Sequence, residues 1–167
     1  SIYDVKDAAE PKLLGIATAA LNARGIAVEG TLACVADGQY GVRLLDVADP
    51  ATPAQLGIYS PTNMGAIHCV ALAGDCALAA DAHTIVRLDV SDPAHPTPCA
   101  SYDAPGRVFD LALSGGLAAA AAGSAGVLLF DISGDTQLSF LSRYDSPGVA
   151  SATEFAGSAL YVADGRS

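Results

Sequence analysis

A pattern that recurs about every 42 residues constrains the fold more than any other feature of this sequence. An aspartate that follows a short apolar run recurs at intervals of 42, 43 and 42 residues, at Asp4, Asp46, Asp89 and Asp131. A glycine that follows a second type of apolar run recurs at intervals of 44, 41 and 42 residues, at Gly30, Gly74, Gly115 and Gly157. Two independent markers therefore give one period, which is typical of a repeat architecture.

Each repeat has the pattern of four short β-strands. In the first full repeat the apolar runs are "IAVEG", "TLACVAD", "VRLLDV" and "AQLGIY", and Gly, Asp and Pro separate them. Short runs of this kind indicate antiparallel strands joined by turns. A unit of roughly 40 to 45 residues with four strands is typical of a propeller blade. We therefore predict an all-β fold, a β-propeller of four-stranded antiparallel blades with about 42 residues per repeat.

The phase of the repeat divides the chain into three full blades and two half-blades. The full blades are predicted at residues 23–64, 65–105 and 106–147, residues 1–22 supply the second half of a blade, and residues 148–167 supply the first half. Three arrangements are consistent with this phase. The chain is a piece of a larger propeller, or its half-blades pair within one chain to close a four-bladed ring, or they pair between chains.

The longest uncharged stretch, "LALSGGLAAAAAGSAGVLLF" from Leu111 to Phe130, is long enough to cross a bilayer as a helix. In the repeat alignment, however, it contains two of the turns that every other unit uses. Strands that are buried on both faces also read as continuous apolar runs. We therefore predict three strands here and no membrane-spanning segment.

Charge and cysteine content limit the classes of partner. The formal net charge is −10 and the isoelectric point is near 4.3, which disfavours binding to phosphate backbones, so no nucleic-acid partner is expected. The cysteines Cys34, Cys69, Cys76 and Cys99 lack the C-x-x-C spacing of zinc sites. Small buried residues or one or two disulfides remain as alternatives, and the sequence does not choose a pairing.

Two strings in the repeats resemble a known family. "LLDVADPATP" from Leu44 to Pro53 and "RLDVSDPAHP" from Arg87 to Pro96 resemble the LVIVD repeat, and the similarity extends over nearly the whole chain. The first and last units depart from the pattern with "DVKDAAEP" and "DISGDTQL". The resemblance implies a β-propeller on bacterial or archaeal surfaces or in their secreted fraction. It implies a scaffold or interaction module and no established chemistry.

The D-x-x-D-P strings suggest turns first and an ion second. Asp before Pro commonly closes a turn through its side-chain oxygen, and we assign this structural role to Asp4, Asp46, Asp89, Asp131, Pro50, Pro53, Pro93 and Pro96. Carboxylates are also the oxygen ligands that calcium prefers. The weaker alternative is therefore a calcium site at Asp46, Asp49, Asp89 and Asp92.

A second set of carboxylates ends the second strand of three units. It consists of Asp37, Asp81 and Asp164. Two of these precede Gly, which predicts hairpin turns. Repetition around an axis would also give one propeller mouth a negative surface that attracts cations.

No string in the sequence predicts catalysis or a cofactor. The predicted function is a non-catalytic extracellular or cell-surface scaffold that binds a protein partner. One alternative is a self-assembling subunit that completes blades between chains. A further alternative is an enzyme or a ligand- or ion-binding propeller with a polar central channel. Fold class alone does not separate these alternatives.

Overall fold

The structure, a computed structural model, describes residues 1–165 and consists of β-strands and connecting turns. Sixteen strands form three four-stranded sheets and two two-stranded sheets within these residues, and every strand pairing is antiparallel. The predicted all-β fold with four-stranded antiparallel blades is confirmed. No helix in residues 1–165 has the length and apolar character needed to cross a membrane.

The three four-stranded sheets follow one another along the chain. Blade I consists of β3 (Gly25–Glu29), β4 (Leu32–Ala36), β5 (Val42–Asp46) and β6 (Ala54–Tyr59). Blade II consists of β7 (Cys69–Ala73), β8 (Cys76–Ala80), β9 (Thr84–Asp89) and β10 (Thr97–Asp103). Blade III consists of β11 (Asp110–Ser114), β12 (Leu117–Ala121), β13 (Val127–Asp131) and β14 (Ser139–Tyr144). In each blade the strands lie side by side in chain order.

A two-stranded hairpin lies at each end of the described chain. The N-terminal hairpin consists of β1 (Ile2–Asp4) and β2 (Lys12–Gly15), and the C-terminal hairpin consists of β15 (Val149–Ala156) and β16 (Ala159–Gly165). Within residues 1–165, β1 pairs only with β2 and β16 pairs only with β15. The two hairpins therefore remain separate sheets, and no single-chain ring is closed.

Glycine makes the tight turn between the first and second strands of each unit. Gly30 has a φ of 56° and Gly157 has a φ of 62°, which lie in the left-handed region that side chains disfavour. The glycine that marks the sequence period is thus required by the same turn in full and partial blades.

A β-bulge identifies which half of a blade the N-terminal hairpin represents. The fourth strand of every full blade carries one extra residue opposite its third strand, and the register shifts there. The N-terminal hairpin has the same shift, with Ile2 opposite Gly15 and Tyr3 opposite Leu13. The bulged residues recur at one repeat position, at Leu14, Leu56, Cys99 and Leu141. The N-terminal hairpin therefore corresponds to the third and fourth strands of a blade.

The first strands of neighbouring blades lie side by side, in the order β3, β7, β11 and β15. Their adjacency places them on the inner side of the stack. Backbone bridges join Gly38 to Ile67 and Gly123 to Ala150. They tie the turn after the second strand of blade I to the segment that leads into blade II, and the same turn of blade III to the C-terminal hairpin. The stack is therefore continuous from blade I to the C-terminal hairpin.

Apolar side chains on both faces of the sheets form the core between blades. Blades I and II share a cluster that contains Cys34, Leu44, Ala77 and Leu88. In β12 the residues Ala118–Ala121 are all fully buried, on one face against blade II and on the other against the C-terminal hairpin. This two-sided burial explains the uncharged stretch from Leu111 to Phe130, which forms β11, β12 and β13 as predicted.

Candidate functional site

The two terminal hairpins expose complementary halves of a blade. The C-terminal hairpin occupies the place of first and second strands, because its glycine turn and its contact with β11 match those of the full blades. Among residues 1–165, the N-terminal hairpin pairs with no first or second strand, and the C-terminal hairpin pairs with no third or fourth strand. Strand edges that have no partner are sites at which another strand can pair.

An apolar groove occupies the place of the missing inner strands at the N-terminal end. This N-terminal groove has a volume of about 600 Å³ and is lined by Ile2, Ile16, Ala17, Ile26, Val28 and Val35. The segment between β2 and β3 covers only part of this face of blade I, where Ala17, Ala19 and Ala20 pack against Ala33, Val35 and Leu45. The inner strand β3 is left uncovered.

Comparison of one repeat position shows how much is left uncovered at this end. Ile26 on β3 is 66% exposed. The residues in the same register in the next two blades are Val70 at 8% and Leu111 at 6%. In the interior of the stack, a preceding blade covers this position. Ile26 is exposed because no complete sheet precedes blade I within residues 1–165.

The C-terminal hairpin has one packed face and one open face. Phe155, Leu160 and Val162 pack against blade III. Tyr161 points to the opposite face and is 63% exposed. The residues at the same position in the full blades, Cys34, Leu78 and Ala119, are fully buried. The open face therefore exposes an aromatic side chain at a position where the full blades bury a smaller apolar residue.

The carboxylates that end the second strands hold the segments that lead into the first strands. Asp37 is fully buried, accepts hydrogen bonds from the backbone N–H groups of Leu21 (2.9 Å) and Asn22, and is paired with the Arg43 guanidinium. Because it is buried and paired, Asp37 contributes no free charge to a propeller mouth.

Asp81 and Asp164 occupy the same position in their units and make related contacts. Asp81 accepts hydrogen bonds from the N–H groups of Gly65, His83 and Thr84. Burial alone would raise the pKa of the Asp81 carboxyl, but these three backbone donors outweigh it and lower that pKa. Asp164 is exposed and accepts from the Gly148 N–H at 3.1 Å and the Ser146 hydroxyl at 3.0 Å. The negatively charged mouth surface stays a prediction.

The aspartates of the D-x-x-D-P strings bond to their own turns. Asp46 accepts from the Ala48 N–H at 2.9 Å and Asp49 accepts from the Ala51 N–H at 2.9 Å. Asp4, Asp89, Asp92 and Asp131 make the same contact with the residue two positions later. The bond from Ala51 and a second from Thr52 lower the pKa of the Asp49 carboxyl. No cluster of three or more potential metal-binding side chains occurs in residues 1–165, and the calcium site at Asp46, Asp49, Asp89 and Asp92 stays a prediction.

The prolines of these strings lie in turns that contact the preceding blade. Pro50 and Pro93 lie in the turns themselves, and Pro53 and Pro96 end them just before the fourth strand. A Cβ atom on Gly15 would collide with the Pro50 carbonyl oxygen, and one on Gly57 with the Pro93 carbonyl oxygen. Sequence reasoning missed these two glycines, although their spacing of 42 residues was a usable signal.

The four cysteines are unpaired, and one buried arginine connects two blades. All four cysteines are free thiols, and burial raises the pKa of Cys34 and Cys69 to about 12. Arg87 is buried and donates to the carbonyl oxygens of Ile132 and Gln137, so it ties blade II to the turn of blade III. Arg87 was missed because the same repeat position holds leucine in blades I and III.

Solved structures with the same architecture define the class of protein. A computationally designed protein, Ika4, is 12% identical with a TM-score of 0.72 over 92% of this chain and 91% of its own. The Cps50 (Swd1) beta-propeller domain of Myceliophteria thermophila is 13% identical with a TM-score of 0.66, and a functionally unknown protein from Desulfotomaculum acetoxidans is 16% identical with a TM-score of 0.68. The match covers 85% and 77% of this chain but only 47% and 44% of theirs, so the matched part of the chain spans less than half the length of these two natural proteins. The fold is that of a β-propeller module.

The sequence repeats identify the family. The LVIVD repeat model matches three times, at residues 21–60, 65–104 and 105–146, which correspond to blades I, II and III. The chain belongs to the LVIVD repeat family, as the D-V-x-D-P strings predicted. Comparison with curated proteins gives no match.

Proposed function

We propose that the chain is a non-catalytic scaffold, located outside the cytoplasm, that binds protein through the two open ends of its blade stack. The observation that carries this proposal is the 66% exposure of Ile26 at a position that the interior blades bury. Contiguous exposed apolar surface on a rigid sheet is typical of interaction sites. Here an unpaired strand edge accompanies it at each end, so main-chain hydrogen bonds would add to apolar burial.

The location outside the cytoplasm is supported by the LVIVD repeats, whose resemblance implies secreted or surface proteins. The net charge of −10 is consistent with a protein that avoids nucleic acid and anionic lipid. Protease added to intact producing cells is expected to degrade the protein. Protection in intact cells together with degradation after lysis would contradict this location.

Photo-crosslinking in intact producing cells tests the binding role. A photoreactive amino acid in place of Ile26 is expected to form adducts with protein, because Ile26 lies in the N-terminal groove. The matched control carries the same amino acid in place of Ile58, which is 39% exposed on the outermost strand of blade I and does not line the N-terminal groove. Protein adducts from position 26 alone support the role, and equal or absent adducts from both positions contradict it.

A further inference from the structure

We propose that the occupant of the N-terminal groove is the C-terminal hairpin of a second copy of this chain, so that β16 of one copy and β1 of the next join into a four-stranded blade. This inference rests on the proposed function, since it names the partner of the same open ends. It is supported by the complementarity of the two hairpins within residues 1–165: one consists of inner strands that pair with no outer ones, and the other consists of outer strands that pair with no inner ones.

The register of the new strand pair can be read from the full blades. In blade I the second and third strands place Leu32 opposite Asp46 and Cys34 opposite Leu44. Blade III repeats this register with Leu117 opposite Asp131 and Ala119 opposite Leu129. Transferred through the repeat, it places Ala159 opposite Asp4 and Tyr161 opposite Ile2 of the other copy. Both edges needed for this pairing are free in residues 1–165.

The side chains on the two surfaces also match. In the interior, Cys34 of blade I packs in one cluster with Ala77 and Ala79 of blade II, and Leu78 of blade II packs with Ala118 and Ala120 of blade III. The equivalent contact at the junction is Tyr161 against Ala33 and Val35 of the second copy. Ala17, Ala19 and Ala20 cover these two residues in the chain by itself, so the segment between β2 and β3 has to move aside when the hairpin binds. A tyrosine is larger than the interior residues, and the groove of about 600 Å³ has room for it.

Tyr3 supplies an independent match on the outer half of the new blade. It is 54% exposed, whereas the residues at its repeat position, Leu45, Leu88 and Phe130, are all buried against the preceding blade or segment. In the proposed junction the preceding blade is blade III of the second copy. Its Leu129 lies on the face that Tyr3 would contact. Three exposed side chains, Tyr3, Ile26 and Tyr161, would thus regain the environment that the repeat gives their equivalents.

One charge in the C-terminal hairpin requires a partner at the junction. Glu154 faces the same side as Tyr161, at the repeat position that holds Ala27, Ala71 and Ala112 in the full blades. An unpaired carboxylate buried there would be costly. Arg24 lines the N-terminal groove and provides the cation. The Glu154–Arg24 pair would make this junction selective for a second copy over an uncharged hairpin.

The solution mass of the 167-residue chain, and of two blocked variants, tests the inference. The wild-type chain is expected to form dimers or longer head-to-tail assemblies. Ile26→Asp blocks the groove and Tyr161→Lys blocks the hairpin, and each variant alone is expected to be monomeric. Each carries one intact end, so an equimolar mixture is expected to yield 1:1 pairs and nothing larger. Each block should weaken association by more than about 100-fold, because a charge replaces an apolar group in the junction core.

Matched controls and folding checks keep the result interpretable. Ile58→Asp and Tyr40→Lys introduce the same charges at exposed positions that do not line the N-terminal groove, and both variants should assemble like wild type. A circular dichroism spectrum rich in strand must accompany every mass. If either blocked variant fails to fold, Val28→Asp and Ala163→Lys replace the pair. Val28 lines the N-terminal groove with Ile26, and Ala163 lies beside Tyr161 on the C-terminal hairpin.

Distinct outcomes separate this inference from the proposed function. A folded wild-type monomer at high micromolar concentration overturns the second-copy inference, and so does assembly that neither block affects. Cross-links from position 26 to a different protein, or to another segment of the same polypeptide, would overturn it too. A cross-link to a different protein would leave the binding role in place, whereas the absence of any protein adduct removes both.

Discussion

Replacement of Asp37 by asparagine should destabilise the protein strongly although it changes only one atom of the side chain. The carboxylate is fully buried, accepts two backbone N–H groups and pairs with Arg43. Asparagine keeps one acceptor oxygen, but its amide N–H₂ faces the guanidinium and both groups are donors. The change therefore leaves a nearly buried arginine charge without its anion.

The expected loss of unfolding free energy is about 3 kcal/mol, because breaking a buried ion pair costs roughly 3 to 5 kcal/mol. The lower end applies here because Arg43 also donates to the Gln55 side chain at 2.7 Å and keeps that bond in the variant. In a chain of this size the loss corresponds to a melting temperature lower by roughly 6 to 12 °C. Urea titration at pH 7 measures the loss. The dependence of the unfolding free energy on urea concentration, the m value, should stay unchanged.

Asp164→Asn is the matched control, because it changes the same repeat position at a carboxylate that is exposed and that has no arginine partner among residues 1–165. Its loss should stay below about 1 kcal/mol. If both variants lose the same unfolding free energy, the reasoning is refuted, because the contribution of Asp37 would then come from its turn contacts alone and not from its burial and its pairing with Arg43. The double variant with Arg43→Gln should lose less than the sum of the two single changes.

Three further predictions concern acid, thiols and backbone. The pKa of the Asp81 carboxyl is lower in the folded than in the unfolded protein, so its contribution to stability is fully present above the unfolded-state pKa and is lost as the pH falls through the folded-state pKa. The unfolding free energy should therefore drop below about pH 4, and Asp81→Asn should make that drop smaller in urea titrations. A maleimide at pH 7 followed by peptide mass analysis should label the partly exposed Cys99 before the buried Cys34, and faster labelling of Cys34 would contradict its burial. Gly126→Ala should lower the melting temperature far more than Gly30→Ala. Both glycines have a positive φ, but only an added Cβ at Gly126 would collide with a backbone carbonyl oxygen. Equal decreases in melting temperature would contradict this geometry.

The 42-residue repeat was enough to predict most of the fold, for a physical reason. Each blade is a local unit whose turns demand glycine and whose strands alternate with Gly, Asp and Pro, so the period appears directly in the sequence. The stretch from Leu111 to Phe130 shows the strength of this signal, because its apolar character alone resembles a membrane helix. Only the aligned turns at Gly115 and Gly123 predicted strands, which the structure contains.

Features that depend on contacts between distant residues were not predictable in this way. Asp37 and Asp164 share the string V-A-D-G, yet one is fully buried and the other exposed. The difference comes from Arg43 and the segment at Leu21 and Asn22, which surround only the first. The open faces at Ile26 and Tyr161 were also invisible locally, because both side chains look like ordinary core residues of a repeat.

Hydrogen exchange of β16 in the wild-type chain tests the central claim most directly. In the isolated chain β16 has one unpaired edge, whereas in a completed blade it is a central strand like β12. At a protein concentration that supports assembly, the amides of β16 should exchange as slowly as those of β12, and dilution should make them fast while β12 stays protected. Fast exchange of β16 at every concentration, in a chain whose three full blades remain protected, would contradict blade completion between copies.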